Sequence, residues 1–231
     1  SGHAVAQESG YSGGDGTASD PYEIANWTHL NNTRDNLDAN FELVSDLNDS
    51  TTGYDSVASS SANGGKGFDS IGNESDPFTG TFDGSGYEIS DLQTNDEGLF
   101  GTATDAHIRD VHLDQVDVSL PDHSTTEDKN KIGTLVGSAE RTTIEHSSAD
   151  GAIDNYDNKV GGLIGLLEDG TIQNSSADVS ITDTESGNDN DGKNVGGLAG
   201  YISNASVNRS FANGSVAANK VAGGLIGGVD S

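Results

Sequence analysis

The chain has 231 residues, with 38 acidic against 10 basic side chains, a net charge of −28 and a mean hydropathy of −0.53. A folded chain of this mass carries roughly one uncompensated negative charge per 350 Å² of surface, and nothing in it resembles a basic patch, which excludes nucleic acid as a partner. Such a surface repels itself at low ionic strength and is relieved in molar salt, where the Debye length falls to about 3 Å. The composition therefore predicts a protein made for brine or for divalent cations.

There is no cysteine, so neither a disulfide nor a thiolate metal site contributes. The longest apolar stretches fall far short of the roughly 20 residues that a membrane span needs. Hydrophobic content of 31% is low for a compact globule, and 32 glycines make up the difference if the interior is narrow and filled by small residues one coil at a time.

In chain order, residues 1–14 read as a glycine-serine arm, flexible unless something docks it. Ser1 stands where an initiator Met would, and Ala4-Val5-Ala6 resembles the small-residue end of a secretory signal; upstream processing and an artificial leader residue read equally well. Residues 15–94 have a different texture. Asp20-Pro21-Tyr22-Glu23-Ile24 leads to Trp27, Leu30, Arg34 and Leu37 at helical spacing, with Asn26 as N-cap, which predicts the one convincing helix of the chain. Phe41 to Leu47 reads as a strand, Asn48 to Gly67 as a polar loop, and Phe78–Gly84 and Tyr87–Leu92 as two strands joined by a Gly-Ser-Gly turn.

Residues 95–231 are repetitive. A glycine-flanked apolar step recurs around Leu99, Leu135, Leu163, Leu198 and Leu225, with spacings of 36, 28, 35 and 27, so short turns alternate with turns that carry surface insertions. Glycines beside each leucine let neighbouring backbones approach closely at a corner. A second apolar stretch follows each of the first four steps, at Ile108–Val118, Ile144–Ile153, Ile172–Ile181 and Val207–Val216. The last three align without gaps, stacking Ile144, Ile172 and Val207, then Ser147, Ser175 and Ser210, then Ala149, Ala177 and Ala212, then Ile153, Ile181 and Val216. Small and β-branched residues in register predict inward ladders on half-buried strands. The expected fold is an all-β parallel β-helix.

The run Gly-Thr-x-x-Asp-Pro-Tyr-x-Ile from Gly16, the run Phe-Thr-Gly-Thr-Phe-Asp-Gly from Phe78, and the Gly-Gly-Leu-x-Gly steps resemble the GLUG-motif β-helix proteins of secreted bacterial and archaeal surface proteins, over about residues 13 to 231. The resemblance implies a right-handed parallel β-helix, a short helix covering its first coil, and an extracellular, cell-surface location. It implies no active site, since that family shares no catalytic residues.

Eight Asn-x-Ser/Thr sequons are present, at Asn26, Asn31, Asn48, Asn73, Asn174, Asn204, Asn208 and Asn213. The ladder alignment turns Asn208 and Asn213 outward and puts Asn204 in a turn, which leaves Asn73, Asn204, Asn208 and Asn213 as the glycan candidates. Asn is also a good turn residue in its own right. Asp183, Glu185, Asp189 and Asp191 form an acidic cluster that half matches an alternating-oxygen calcium loop and lacks the bidentate Glu; a solvated loop is the plainer reading. No cofactor is expected otherwise.

Catalysis is not expected. Carboxylates are everywhere and so carry no information, Arg109, Arg141 and Arg209 read as outward or corner residues, and the six histidines show no metal-ligand spacing. The sequence stops within a repeat at Gly227-Gly228-Val229-Asp230-Ser231, so either it is an excerpt or the next subunit caps it. The second option predicts an extracellular filament in which copies of this chain stack head to tail. The alternatives are a monomeric adhesin or S-layer-like module that binds cell-surface glycans, and a polysaccharide lyase or hydrolase.

Overall fold

The computed structural model describes residues 10–120, 131–154, 159–182, 194–218 and 221–230. The alternating stretches of the repeats form strands because one side chain in two is apolar and the rest are polar, so each strand buries one face. Among the described residues these strands build four parallel sheets. Sheet 1 holds the strands that follow each central leucine, Phe100–Thr104, Val136–Glu140, Ile164–Glu168, Ala199–Ser203 and Ile226–Asp230. Sheet 2 has seven strands, from Tyr22–Ile24 through Asn40–Leu43, Thr81–Asp83, His107–Arg109, Thr143–Glu145 and Thr171–Gln173 to Ser206–Asn208. Sheet 3 runs from Glu88–Ser90 through His112–Ser119, Ser148–Asp154 and Ser176–Thr182 to Phe211–Ala212, and sheet 4 collects Lys131–Gly133, Lys159–Gly161, Asn194–Gly196 and Val221–Gly223. The chain visits sheets 1, 2, 3 and 4 in turn, which is a β-helix-like coil.

Every repeat pairs in the register expected. Ile144 faces Ile172 and Ile172 faces Val207; Ala149, Ala177 and Ala212 stack, as do Ile153, Ile181 and Val216. The first repeat alone carries an extra residue, Gln115, in left-handed backbone (φ 51°), where the register shifts between Ala149 and Gly151. Apart from Gln115, the extra residues of the long turns fall in sequence between a sheet 3 strand and the next sheet 4 strand, largely outside the described residues.

Each corner has its own chemistry. Between sheets 1 and 2 the chain turns through left-handed residues at Asp105, Arg141, Asp169 and Asn204, and between sheets 2 and 3 at Asp110, His146, Asn174 and Arg209. Just inside the second of these corners the stacked serines form a ladder: the Ser147 hydroxyl donates to the Glu145 carbonyl (2.9 Å) and accepts from the Val111 amide (3.3 Å), and Ser175 repeats this with Gln173 O and Ser147 N (2.8 and 3.2 Å). Buried main-chain groups at a bend need such partners. The third corner is the Gly-Leu step, where a Cβ on Gly161 would collide with the backbone of Ile164 and Gly200.

The first ninety residues are less regular than the sequence suggests. The helix begins at Trp27, with Asn26 Oδ1 accepting from His29 N (3.0 Å), but it ends at Asn32 and tightens into a 3₁₀ turn at Thr33–Asp35, so Leu37 lies beyond it. The strand ends at Leu43; Leu47 touches sheet 3 only through an isolated bridge to Ile89. The polar loop contains two single-turn helices, Tyr54–Val57 and Ala62–Gly65, that bury Val57, Ala58 and Ala62. The Gly-Ser-Gly segment is a corner from sheet 2 to sheet 3, so the strands it joins are in different sheets. The end of the arm is docked: Tyr11 stacks on Tyr22 at 4.2 Å, its hydroxyl donates to Asn32 O (2.7 Å), and Ser12 N and Gly13 O bond the Glu23 backbone (2.9 Å each).

Candidate functional site

The four glycan candidates are exposed. Asn73 heads a turn, its side-chain oxygen accepting from the amides of Ser75 and Asp76 (2.9 and 3.1 Å). Asn204 occupies a left-handed corner (φ 47°) above Asp169, to which its amide donates, and Asn208 faces outward on sheet 2. Asn213 lies beside the last strand of sheet 3. The remaining sequons divide by use. Asn26 caps the helix, Asn31 accepts from Arg34, and Asn48 accepts from Ser50 N and from the Ser50 and Thr51 hydroxyls. Asn174 is exposed at a corner and bonds His146 (3.2 Å). The acidic cluster Asp183, Glu185, Asp189 and Asp191 lies outside the described residues.

The outer faces carry cross-coil charge pairs. Arg109 reaches Asp83 (2.6 Å) and Arg141 grips Asp105 through Nε and Nη2 (2.7 and 2.9 Å). His107 meets Glu145 at 2.7 Å, and Gln173 donates to the other oxygen of the same carboxylate (2.5 Å). The hydrogen bonds from Gln173 and His107 hold the Glu145 carboxyl below its ordinary pKa. Among the described residues no three His, Asp or Glu side chains form a group that could hold a metal ion.

Sheet 3 carries an axial groove of about 340 Å³. Its floor includes Ala149 and Ala177; one wall is Glu88, His112, Ser148, Ser176 and Phe211, and the other holds Asp114, Asp150, Asp178 and Asn213. Asp150 and Asp178 are direct cross-strand neighbours on strands about 4.8 Å apart, so acidic side chains line that wall. Phe211 is 55% exposed. Its place was readable in the alignment, since it stands where Ser148 and Ser176 stand.

Burial falls along the last described coil. Ile172, Ile181 and Leu198 are fully buried, whereas Val207, Val216 and Leu225, their counterparts one coil on, are only partly buried. Val229 is 65% exposed, and Ser206–Asn208, Phe211–Ala212, Val221–Gly223 and Ile226–Asp230 each end a sheet. The first strand of sheet 2 is instead flanked by the Ser12–Gly13 backbone.

Residues 158–182 match the family model described as the GLUG motif, and 159–182 make up one turn of the coil from sheet 4 to the end of sheet 3. The chain thus carries a GLUG motif in this coil. This GLUG-motif chain is also similar to halomucin of Haloquadratum walsbyi, at 34% identity over 155 residues, which is 62% of this chain and 2% of halomucin. It thus spans a small fraction of the length of that relative. A crystal structure from Bacteroides ovatus, named as that of a candidate immunoglobulin A1 protease, overlays 96% of this chain and 87% of its own with a TM-score of 0.46 and 16% identity. The motif and the halomucin resemblance agree with a surface or secreted protein of haloarchaeal type. None of the described helices is long and apolar enough to cross a membrane.

Proposed function

We propose that this GLUG-motif chain is an extracellular structural module of a cell surface, without catalytic activity, and that its last coil is where a further coil stacks. In the form that makes a filament, that coil belongs to a second copy and the contact is head to tail. What supports this reading is the GLUG-motif match over residues 158–182 and the similarity to halomucin, together with the in-register ladders that make each coil a platform for the next. Unpaired parallel edges above an apolar interior are a template for another strand layer. Right-handed winding is the expected hand, because parallel crossovers are right-handed in about 98% of cases. In that frame the Trp27–Asn32 helix covers the first coil and Asn73, Asn204, Asn208 and Asn213 carry sugar toward solvent.

A net charge of −28 per copy makes stacking depend on salt. Negative-stain electron microscopy in molar KCl tests the reading. Fibres with an axial repeat close to the length of one solenoid, dissolving on dialysis to low salt, are expected. Short separate rods at every salt concentration overturn the filament and leave the monomeric adhesive module, whose natural face is the sheet 3 groove.

A further inference from the structure

The strongest unused feature lies far from the last described coil. Arg34 follows the Trp27–Asn32 helix and packs its guanidinium over Phe68, with Cζ 4.7 Å from the ring centroid. Nη1 donates to Asn31 O (3.1 Å) and Asn31 Oδ1 (2.5 Å). Nε and Nη2 are shut off from water and have no hydrogen-bond partner. Buried donors on a charged group are rarely left unpaired. Burial pushes the Arg34 pKa down, opposed by Asp69, Asp96 and Asp35. Arg34 also lines a cavity of about 340 Å³ together with Asp35, Leu37, Ser70, Asn73 and Asp76.

The unpaired donors sit on adjacent nitrogens of a planar group, a fork that matches two acceptor oxygens side by side. A carboxylate or sulfate is the usual occupant of such a fork. Here Asp35, Asp69 and Asp96 already outnumber the one positive charge, and Asp76 adds another at the cavity wall. A second anion would be repelled, whereas a neutral pair of hydroxyls can accept from the fork and donate onward to Asp35 and Asp76. Leu37 supplies an apolar wall for the ring carbons. We propose that the cavity beside Arg34 binds a neutral sugar through a vicinal diol, the guanidinium turning about its Asn31 anchor to present Nε and Nη2 to the cavity it lines. The site rests on the adhesive alternative rather than on stacking at the last coil, and neither outcome at that coil decides it.

The test uses the full chain with Ser75→Ala, so that no sugar attached to Asn73 fills the cavity, in molar KCl with ligand-observed NMR and titration calorimetry. The probes are methyl α-mannoside, methyl β-galactoside and methyl β-glucoside, with methyl β-glucuronide and inorganic sulfate as anionic counterparts. At least one neutral glycoside is expected to saturate in the millimolar range. Arg34→Gln should weaken it by about tenfold or more, and Asp76→Asn several-fold with an unchanged unfolding midpoint, which separates loss of the site from loss of the fold. Failure of all three neutral glycosides to saturate, binding that survives both substitutions, or preference for glucuronide or sulfate overturns the proposal.

Discussion

The two ends of this solenoid solve the same packing problem with different residues. Five of the six phenylalanines and the single tryptophan lie before residue 101, and they fill the early coils as an irregular stack: Tyr22 on Phe41 at 5.8 Å, Phe41 on Phe78 at 6.2 Å, Phe78 on Phe100 at 4.9 Å. From Ile108 onward the interior is made of ladders of Ile, Val, Leu and Ala, each residue stacked on its equivalent one coil away. A ladder needs identical coils. The first coils are interrupted by a helix, two helical turns and a long connection, so their side chains face unequal spaces that only large aromatic rings fill. Uniform coils can be extended by adding more of the same, while an aromatic plug cannot.

The largest expected effect breaks the plug. Trp27 is fully buried, 5.8 Å from Tyr54 and 6.5 Å from Phe68, and donates to Asn48 O at 2.9 Å. Trp27→Ala should cost about 3–5 kcal/mol. Because each coil contacts mainly its neighbours, the loss should stay local. Hydrogen exchange is expected to rise across residues 20–94 and to change little beyond Thr171. A uniform rise along the chain would mean that plug and ladders form one cooperative unit.

A smaller effect separates an interior coil from the last described one. Ser175→Ala orphans the Ser147 amide at a buried corner, leaving the Gln173 carbonyl with the His146 amide (3.1 Å), and should cost about 1–3 kcal/mol in chemical denaturation. Ser210→Ala removes the equivalent bonds, to Ser175 N (3.2 Å) and Asn208 O (2.9 Å), in the partly exposed last coil, where water replaces them, so about 0.5 kcal/mol is expected. If the two substitutions cost the same in molar salt, a further coil is covering Ser210 in solution.

The corners offer a gain. Arg209 adopts φ 48° and is exposed. Arg209→Gly relieves roughly 1–2 kcal/mol of left-handed strain against roughly 0.5–1 kcal/mol of added chain entropy. A net stabilisation of about 0.5 kcal/mol should appear as a higher unfolding midpoint. The same change at Arg141 also loses its grip on Asp105 and should give no gain.

How far these features were legible in the sequence follows from the same contrast. The ladders were readable because repetition supplies its own alignment: stacking Ile172–Ile181 on Val207–Val216 gave the register without any structure. Arg141 and Arg209 could be read as outward or corner residues, and both occupy left-handed corners. The plug was not readable in this way. Periodicity carried the helix past Asn32 to Leu37, although Arg34 turns back onto Phe68 through a contact 34 residues away that no local pattern encodes. The Arg34 cavity was hidden for the same reason, since its walls come from segments near residues 34 and 73.

Acid should open the two regions in sequence, which is the finest test of their independence. His29 sits at the plug, its Nδ1 accepting from Ala25 N (3.3 Å), and burial lowers its pKa from 6.5. A depressed folded value means that the unfolded chain takes up the proton first, so stability from the neutral ring is present above pH 6.5 and is lost as pH falls below it. Glu145 belongs to the ladders, with its pKa lowered from 4.5 chiefly by Gln173 and then by His107, and its contribution is lost only as pH falls below 4.5. Trp27, the single tryptophan, reports the plug by fluorescence, while hydrogen exchange at Thr143–Glu145 reports the ladder. The plug should begin to loosen as pH falls below 6.5, and the ladder only once it falls below 4.5. His29→Gln should remove the first step and leave the second, and Glu145→Gln the reverse. Protonation of the other carboxylates works against both losses by relieving the −28 charge, so the steps should be sharpest in molar salt, where that repulsion is already screened.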